Sequence, residues 1–335
     1  MAWLTGWGRR KKQTITGTTA GAQTNYQKKM VVHKGSGTDS PTDVYCNGKC
    51  RDDFGDIRWT MDDGITLMDY WIEKVVSGDY AVFWIKIPSV PASPGTVDVY
   101  MYYDNPSATS LSDGDATFQF FDDFEGTELD TTKWLTDLIG SGSLSVSDGC
   151  VWFETGTTNK SKAQINSISE TLGFSNVLVE ARFMALTQGT HSLDRSFEMI
   201  LFDDLNTGLY IGHRGSVGDE KVNRKVAGTW GSEITIYSDP PLNVWLRHRI
   251  VVYADSILSL LDDSLNILGS YTYSGFVPTI NMLYSIGAYN PGSTSNLRSK
   301  LDWIFVRKYV DPEPTWGAWG SEELAPVPHS HGYIF

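Results

Sequence analysis

FFDDFEGTELDTTKW, residues 120–134, sets Asp122, Asp123, Glu125, Glu128 and Asp130 between a phenylalanine pair and Trp134. Such an acidic knot reads as a catalytic centre, as a cation site, or as the opening of a folded unit. The aromatic spacing favours the last reading. Phe121 and Phe124 turn inward, the carboxylates between and beyond them stay solvated, and Glu125-Gly126-Thr127 reads as a turn. A β domain therefore opens near residue 119.

Working outward, residues 105–119 (NPSATSLSDGDATFQ) are small and polar and read as a connection, which puts a boundary near 118. Ahead of it, runs rich in Val, Ile, Tyr, Trp and Thr recur at 12–17, 28–34, 55–60, 65–76, 79–88 and 95–104. DYWIEKV and YAVFWIKIP alternate apolar with polar residues, the period of a strand with one buried face. Beyond it, strand candidates follow at 143–147, 150–154, 162–166, 177–186, 196–203, 207–214, 221–229, 233–237, 244–253, 256–261, 265–273, 282–289 and 298–309. Their number and spacing predict an all-β chain of two β-sandwich domains, the second a jelly roll. A length of 335 residues also suits two cores better than one. The expected divisions are 1–118, 119–310, and a Pro/Gly/aromatic-rich tail over 311–335 that runs over the surface or onto a neighbour.

The formal net charge of −13 argues against a nucleic-acid partner, whose phosphates are held by Lys and Arg. The basic tetrad Arg9-Arg10-Lys11-Lys12 reads as a solvated strand edge that discourages aggregation. No apolar run is long enough to span a bilayer, so no membrane insertion is expected. Of three cysteines, Cys46 and Cys50 flank Asn-Gly-Lys, a turn that either pairs them in a disulfide or leaves two free thiols. Cys150 reads as a buried strand thiol.

Two resemblances sharpen this. WLTGWGRRKKQTI, CRDDFGDIRWTMDDGITLMDYWIE and AVFWIKIPSVPASPGTVDVYMYYDNPSA, in that order over residues 1–118, resemble the family known as domain of unknown function 2341. That implies a β-sandwich of the kind found in archaeal and bacterial surface proteins and in viral genomes, and implies no reaction. From FFDDFEGTELDTTKW to about residue 310, the chain resembles concanavalin A-like jelly rolls, which include lectins, laminin-G-like modules and laminarinase-type glycosidases. NVWLRHRIVVYADSILSLLDDSLNILGSYTY resembles that fold's hairpin with an Asp-rich turn, and LDWIFVRKY its last strand.

The glycosidase branch carries its carboxylates on one strand as Glu-x-Asp-x-x-Glu, and no such run occurs here. In SFEMILFDD, Glu198 and Asp204 share a strand face but stand about 20 Å apart at strand rise, against the roughly 5–5.5 Å a retaining pair needs. The six His form no triad signature. The resemblance implies a structural calcium held by an Asp of the last strand with groups near the first, which maps onto Asp302 with Asp123 or Asp122. DDFGDIRWTMDDG lacks EF-hand spacing; Asp56 or Arg58 reads there as part of a buried pair, with Asp62-Asp63-Gly64 as a hairpin turn. Sugar binding takes aromatic faces and planar polar side chains, for which Tyr210, His213, Arg214, Trp230, Tyr289 and Asn290 lie at strand ends or turns.

The functional expectation is a non-enzymatic virion surface protein, a capsid decoration, tail or receptor-binding component, with a glycan-binding jelly roll. It is expected to be made in the host cytoplasm and to sit on the virion exterior, to form homo-oligomers, to assemble with other virion proteins, and to meet a host-surface glycan. The amino terminus, MAWLTGWGRRKKQTITG, lacks the order of a signal peptide, and this motivates the expectation. The alternatives are a cellular surface lectin or adhesion module whose signal peptide has been removed, and a laminarinase-like glycoside hydrolase.

Overall fold

The structure is a computed structural model and describes residues 2–168, 173–202, 206–216 and 218–326. The chain is all-β and divides into two compact units, residues 1–118 together with 310–335, and residues 119–309. The C-terminal segment thus belongs to the first unit, and the second is an insertion into it.

In the first unit the strands are β1 (Arg9–Thr16), β2 (Gln23–His33), β3 (Asp43–Tyr45), β4 (Arg58–Met61), β5 (Tyr70–Val76), β6 (Tyr80–Val90) and β7 (Thr96–Tyr103). One short helix, α1 (Gly114–Thr117), is capped by Asp113, whose side chain accepts from Ala116 N at 2.8 Å. One sheet runs β3-β2-β6-β5. The facing sheet includes β1-β7-β4, and Trp59 on β4 meets Phe83 on β6 edge-on at 6.0 Å in the core between them. Asp62-Asp63-Gly64 does make the expected turn, with Asp63 accepting from Ile65 N and Thr66 N. Asp56 and Arg58 are both buried but do not pair. Asp56 accepts backbone N–H groups of Arg51, Asp104 and Asn105, and Arg58 donates to carbonyls.

The second unit holds β8 (Phe120–Asp122), β9 (Trp134–Ile139), β10 (Ser143–Ser147), β11 (Cys150–Glu154), β12 (Lys162–Ser167), β13 (Val177–Ala185), β14 (Arg195–Phe202) and β15 (Gly208–Arg214). It continues through β16 (Asp219–Val226), β17 (Thr229–Trp230), β18 (Ile234–Tyr237), β19 (Leu246–Val252), β20 (Ser256–Asp262), β21 (Ile267–Tyr273), β22 (Met282–Tyr289) and β23 (Arg298–Lys308). The first sheet of this jelly roll runs β10-β11-β23-β13-β19-β20-β21, with β8 on β23. The second runs β17-β16-β15-β14-β22-β12-β9, with β18 on β16. Alternate residues of both sheets fill one core, where Phe183 on β13 stacks on Phe197 of β14 at 4.3 Å. The opening stretch does start this unit. Phe121 and Phe124 are buried, and buried Asp122 receives Phe124 N at 2.8 Å and Trp134 Nε1 at 2.6 Å.

The tail returns as β24 (Thr315–Trp319) and β25 (Glu323–Leu324), both paired with β1. This corrects the reading of 311–335 as a tail that runs over the surface or onto a neighbour; HSHGYIF lies outside the described residues. It also corrects the basic tetrad. β1 has neighbours on both sides, Arg10 and Lys11 are buried, and the cations pair with Glu322, Glu323, Asp39 and Asp98. Arg10 and Lys11 are thus paired interior cations, while Arg9 and Lys12 are paired and only partly exposed, rather than a solvated edge.

Candidate functional site

On β14, Phe197, Met199 and Leu201 enter the core, so Glu198, Ile200 and Phe202 take the opposite face of the second sheet. The same alternation puts Leu209 and Ile211 inside and Tyr210 outside on β15, and Val222 inside and Asn223 outside on β16. Register aligns Ile200, Tyr210 and Asn223 in a row across three strands. The β16–β17 hairpin then folds Trp230 back opposite Lys225. Its position is held by Asn223 Nδ2 donating to Gly231 O at 2.8 Å. The result is a cleft of about 560 Å³ lined by Arg195, Ile200, Tyr210, Asn223, Trp230 and Gly231 to Glu233. Gly212 makes room for it, since a Cβ there would stand 2.5 Å from Tyr210 Oη.

Charge in this cleft is organised in pairs. The Arg195 guanidinium lies between the rings of Tyr210 and Tyr289, 5.8 and 5.5 Å from their centroids, and its Nε is 3.2 Å from Glu198 Oε2. Gln164 Nε2 donates to the other Glu198 oxygen. Burial pushes the Glu198 carboxyl above its ordinary range, against the pull of Arg195 and Gln164. Arg214 pairs with Glu233 at the cleft wall. Burial likewise raises the Tyr210 phenol.

Four of the six residues singled out for sugar binding meet on this face. Tyr210 and Trp230 line the cleft with rings 6.3 Å apart, T-shaped, while Tyr289 and Arg214 support it from behind. His213 and Asn290 do not join them. Alternation on β15 after Leu209 and Ile211 puts His213 on the core side, where burial holds the imidazole below its ordinary pKa. Asn290 is fully buried and donates to Ser295 O at 2.9 Å, pinning a turn. Sequence reasoning missed Arg195, Asn223 and Glu233. Arg195 and Asn223 share the outward parity of Glu198 and Tyr210 only through bulge and pairing, which the linear pattern does not display.

The expected calcium ligands are not gathered. Asp302 occupies a bulge on β23, where its Oδ2 receives Arg182 Nη1 at 2.5 Å, and both Asp122 oxygens are taken by Phe124 and Trp134. Among the described residues no three His, Cys, Asp or Glu side chains come together as metal ligands. Cys46 and Cys50 are buried free thiols beside each other, not a disulfide, and Cys150 is free and buried as well. Glu198, the carboxylate weighed for catalysis, is 1% exposed beneath Arg195 and Gln164, so a substrate does not reach it in this arrangement. Asp203 and Asp204 lie outside the described residues.

Residues 53–137 match the family model described as Domain of unknown function (DUF2341). No curated protein matches the chain. Among solved structures, the chain is similar to a glycoside hydrolase family 43 protein of Bacillus licheniformis, with 14% identity over 67% of this chain and 47% of that one, TM-score 0.42. It spans about half the length of that protein. A second is a β-glucanase homologue of Mycobacterium abscessus, 14% identical over 56% of this chain and 99% of that one, TM-score 0.42. A third comes from work on endo-acting O-glycanases of human gut microbiota that initiate mucin breakdown, 11% identical over 58% of this chain and 100% of that one, TM-score 0.46. The expectation of a virion component is corrected by these findings: the similar structures are described as carbohydrate-active proteins, and none of the three as a virion protein. At these scores they do not say what this chain acts on, and the functional argument rests on its own residues.

Proposed function

We propose that the jelly roll is a carbohydrate-binding module of the lectin or adhesion kind, which holds an oligosaccharide in the cleft on its second sheet without cleaving it. The observation that carries this is the half-buried Trp230 ring, set edge-to-face against the largely buried Tyr210 in a cleft shared with Arg195 and Asn223, an apolar surface ringed by planar hydrogen-bonding groups. Pyranose C–H faces pack on such rings, while hydroxyls take the amide, guanidinium and carboxylate around them. Hydrolysis is disfavoured because the buried Glu198 is spent on Arg195 and Gln164.

A glycan array with the full chain and its Trp230→Ala variant tests the reading. Binding to a defined glycan set, lost in the variant, is expected. Incubation of the wild type with the polysaccharides that carry those glycans is expected to release no new reducing ends. Cleavage that disappears in Glu198→Gln would replace the module by a glycoside hydrolase.

A further inference from the structure

The cleft does not end at the β16–β17 hairpin. A second cleft, of about 460 Å³, shares Asn223, Gly231 and Ser232 with the first and continues over Arg224, Tyr271 and Tyr273. Two adjoining clefts suit neighbouring residues of an oligosaccharide better than a single sugar.

Arg224, opposite Leu209 on β16 and so on the other side of the strand from Asn223, differs from the arginines of the first cleft. Arg195 faces Glu198 and Arg214 faces Glu233, whereas among the described residues no carboxylate lies within ion-pair distance of Arg224 and its side-chain N–H groups donate to no protein acceptor. In a chain with 40 Asp and Glu against 27 Lys and Arg, a partly buried guanidinium without an acid is exceptional. It is nonetheless positioned: its carbon lies 5.2 Å from the Tyr273 ring and 5.4 Å from that of Phe276. Stacking of this sort fixes the plane of the fork while leaving its donors available. Beside it the Tyr273 hydroxyl is buried with no hydrogen-bond partner, and the Tyr271 ring, 4.8 Å from that of Tyr273, is 38% exposed. A fixed guanidinium fork, an unsatisfied hydroxyl and an exposed ring together match a sugar that carries a carboxylate.

We propose that this second cleft is a subsite for a uronic acid residue, its carboxylate held by Arg224, so that the module selects acidic over neutral oligosaccharides. This rests on the first cleft being a carbohydrate site. Arg224 reads the charge, and the Tyr210–Trp230 platform supplies the affinity shared by acidic and neutral chains.

Calorimetry on the full chain separates the two claims, using oligogalacturonate, oligoglucuronate and oligomannuronate, each as the free acid and as the neutral methyl ester. For at least one backbone the acid is expected to bind about ten-fold tighter than its ester, as charge-assisted hydrogen bonds allow. That preference is expected to shrink with added salt, to vanish in Arg224→Gln, and to persist in part in Arg224→Lys. Unchanged thermal unfolding of both variants shows that folding is not the cause. Acid and ester binding alike, with both lost in Trp230→Ala, would overturn the uronate subsite and leave the carbohydrate site standing. No binding of acid, ester or any neutral glycan would overturn both.

Discussion

Single side chains show how this protein places charge where water does not reach. Glu198 is tolerated in a buried position because Gln164 donates to one of its oxygens and Arg195 forms an ion pair with the other. Truncating it to Ala is expected to cost about 3–5 kcal/mol, because it strands the Arg195 guanidinium. Urea denaturation of the variant measures this, and a loss near zero would mean that Arg195 is solvated in solution. Cys150 and Tyr273 set an alkaline limit. Burial, with Asp302 nearby, pushes the Cys150 thiol up to about 11 from an ordinary 9.0, and burial next to Tyr271 pushes the Tyr273 phenol up to about 12 from 10.0. Below the ordinary values both states keep these protons and their contribution is fully present. As pH rises past 9 the unfolded chain ionises first, binds fewer protons than the folded one, and stability falls. The urea midpoint is therefore expected to drop between pH 9 and 11, with a shallower drop in Cys150→Ser. A midpoint that is flat or rising over that range contradicts the assignment.

At the level of elements, the decisive feature is β24, which lies 299 positions after Thr16 in the chain yet pairs with it at Thr315. Trp316 is buried there and donates from Nε1 to Lys29 O at 2.9 Å, joining the two sheets of the first sandwich. Trp316→Ala is expected to destabilise the first unit by about 3–5 kcal/mol, the range for large aromatic truncations. In a thermal scan this should appear as an earlier transition assigned to that unit, with the transition of the jelly roll unmoved; a common shift of both would contradict the division. Thiol titration offers a further check on the β3 turn. Three thiols per chain are expected to react in denaturant and far fewer in the native state, whereas a single reactive thiol in denaturant would mean that Cys46 and Cys50 are bridged. Most strands were legible in the sequence because β-branched and aromatic runs stand between turn residues, as in β6 and β19, both buried along most of their length. β24 was not, because TWGAW is short, Gly-interrupted and flanked by Pro, and only a partner strand far away in the chain makes it a strand. The basic tetrad misled for the same reason, its acids lying up to some three hundred residues away. The cleft was legible in part. Tyr210 and Trp230 carry their aromatic signal in the sequence, and His213 shares the inward parity of Leu209 and Ile211, but the β14 bulge and the register that bring Arg195 beneath Tyr210 have no linear signature.

Taken whole, the chain is a sandwich interrupted by a jelly roll that carries two adjoining clefts, one on the outer face of its second sheet and one over β16 and β21. Around these clefts a chain with net charge −13 sets three arginines, two of them matched to glutamates and one left for a ligand. The clefts, and not the acidic opening of the jelly roll, are where its chemistry with other molecules is expected. The most direct test is the affinity of the full chain for its strongest array glycan, measured by calorimetry for the wild type and Trp230→Ala. Micromolar binding that weakens at least ten-fold in the variant, at unchanged thermal stability, is the predicted result; equal affinity in the two proteins would place the carbohydrate elsewhere and contradict the assignment of this cleft.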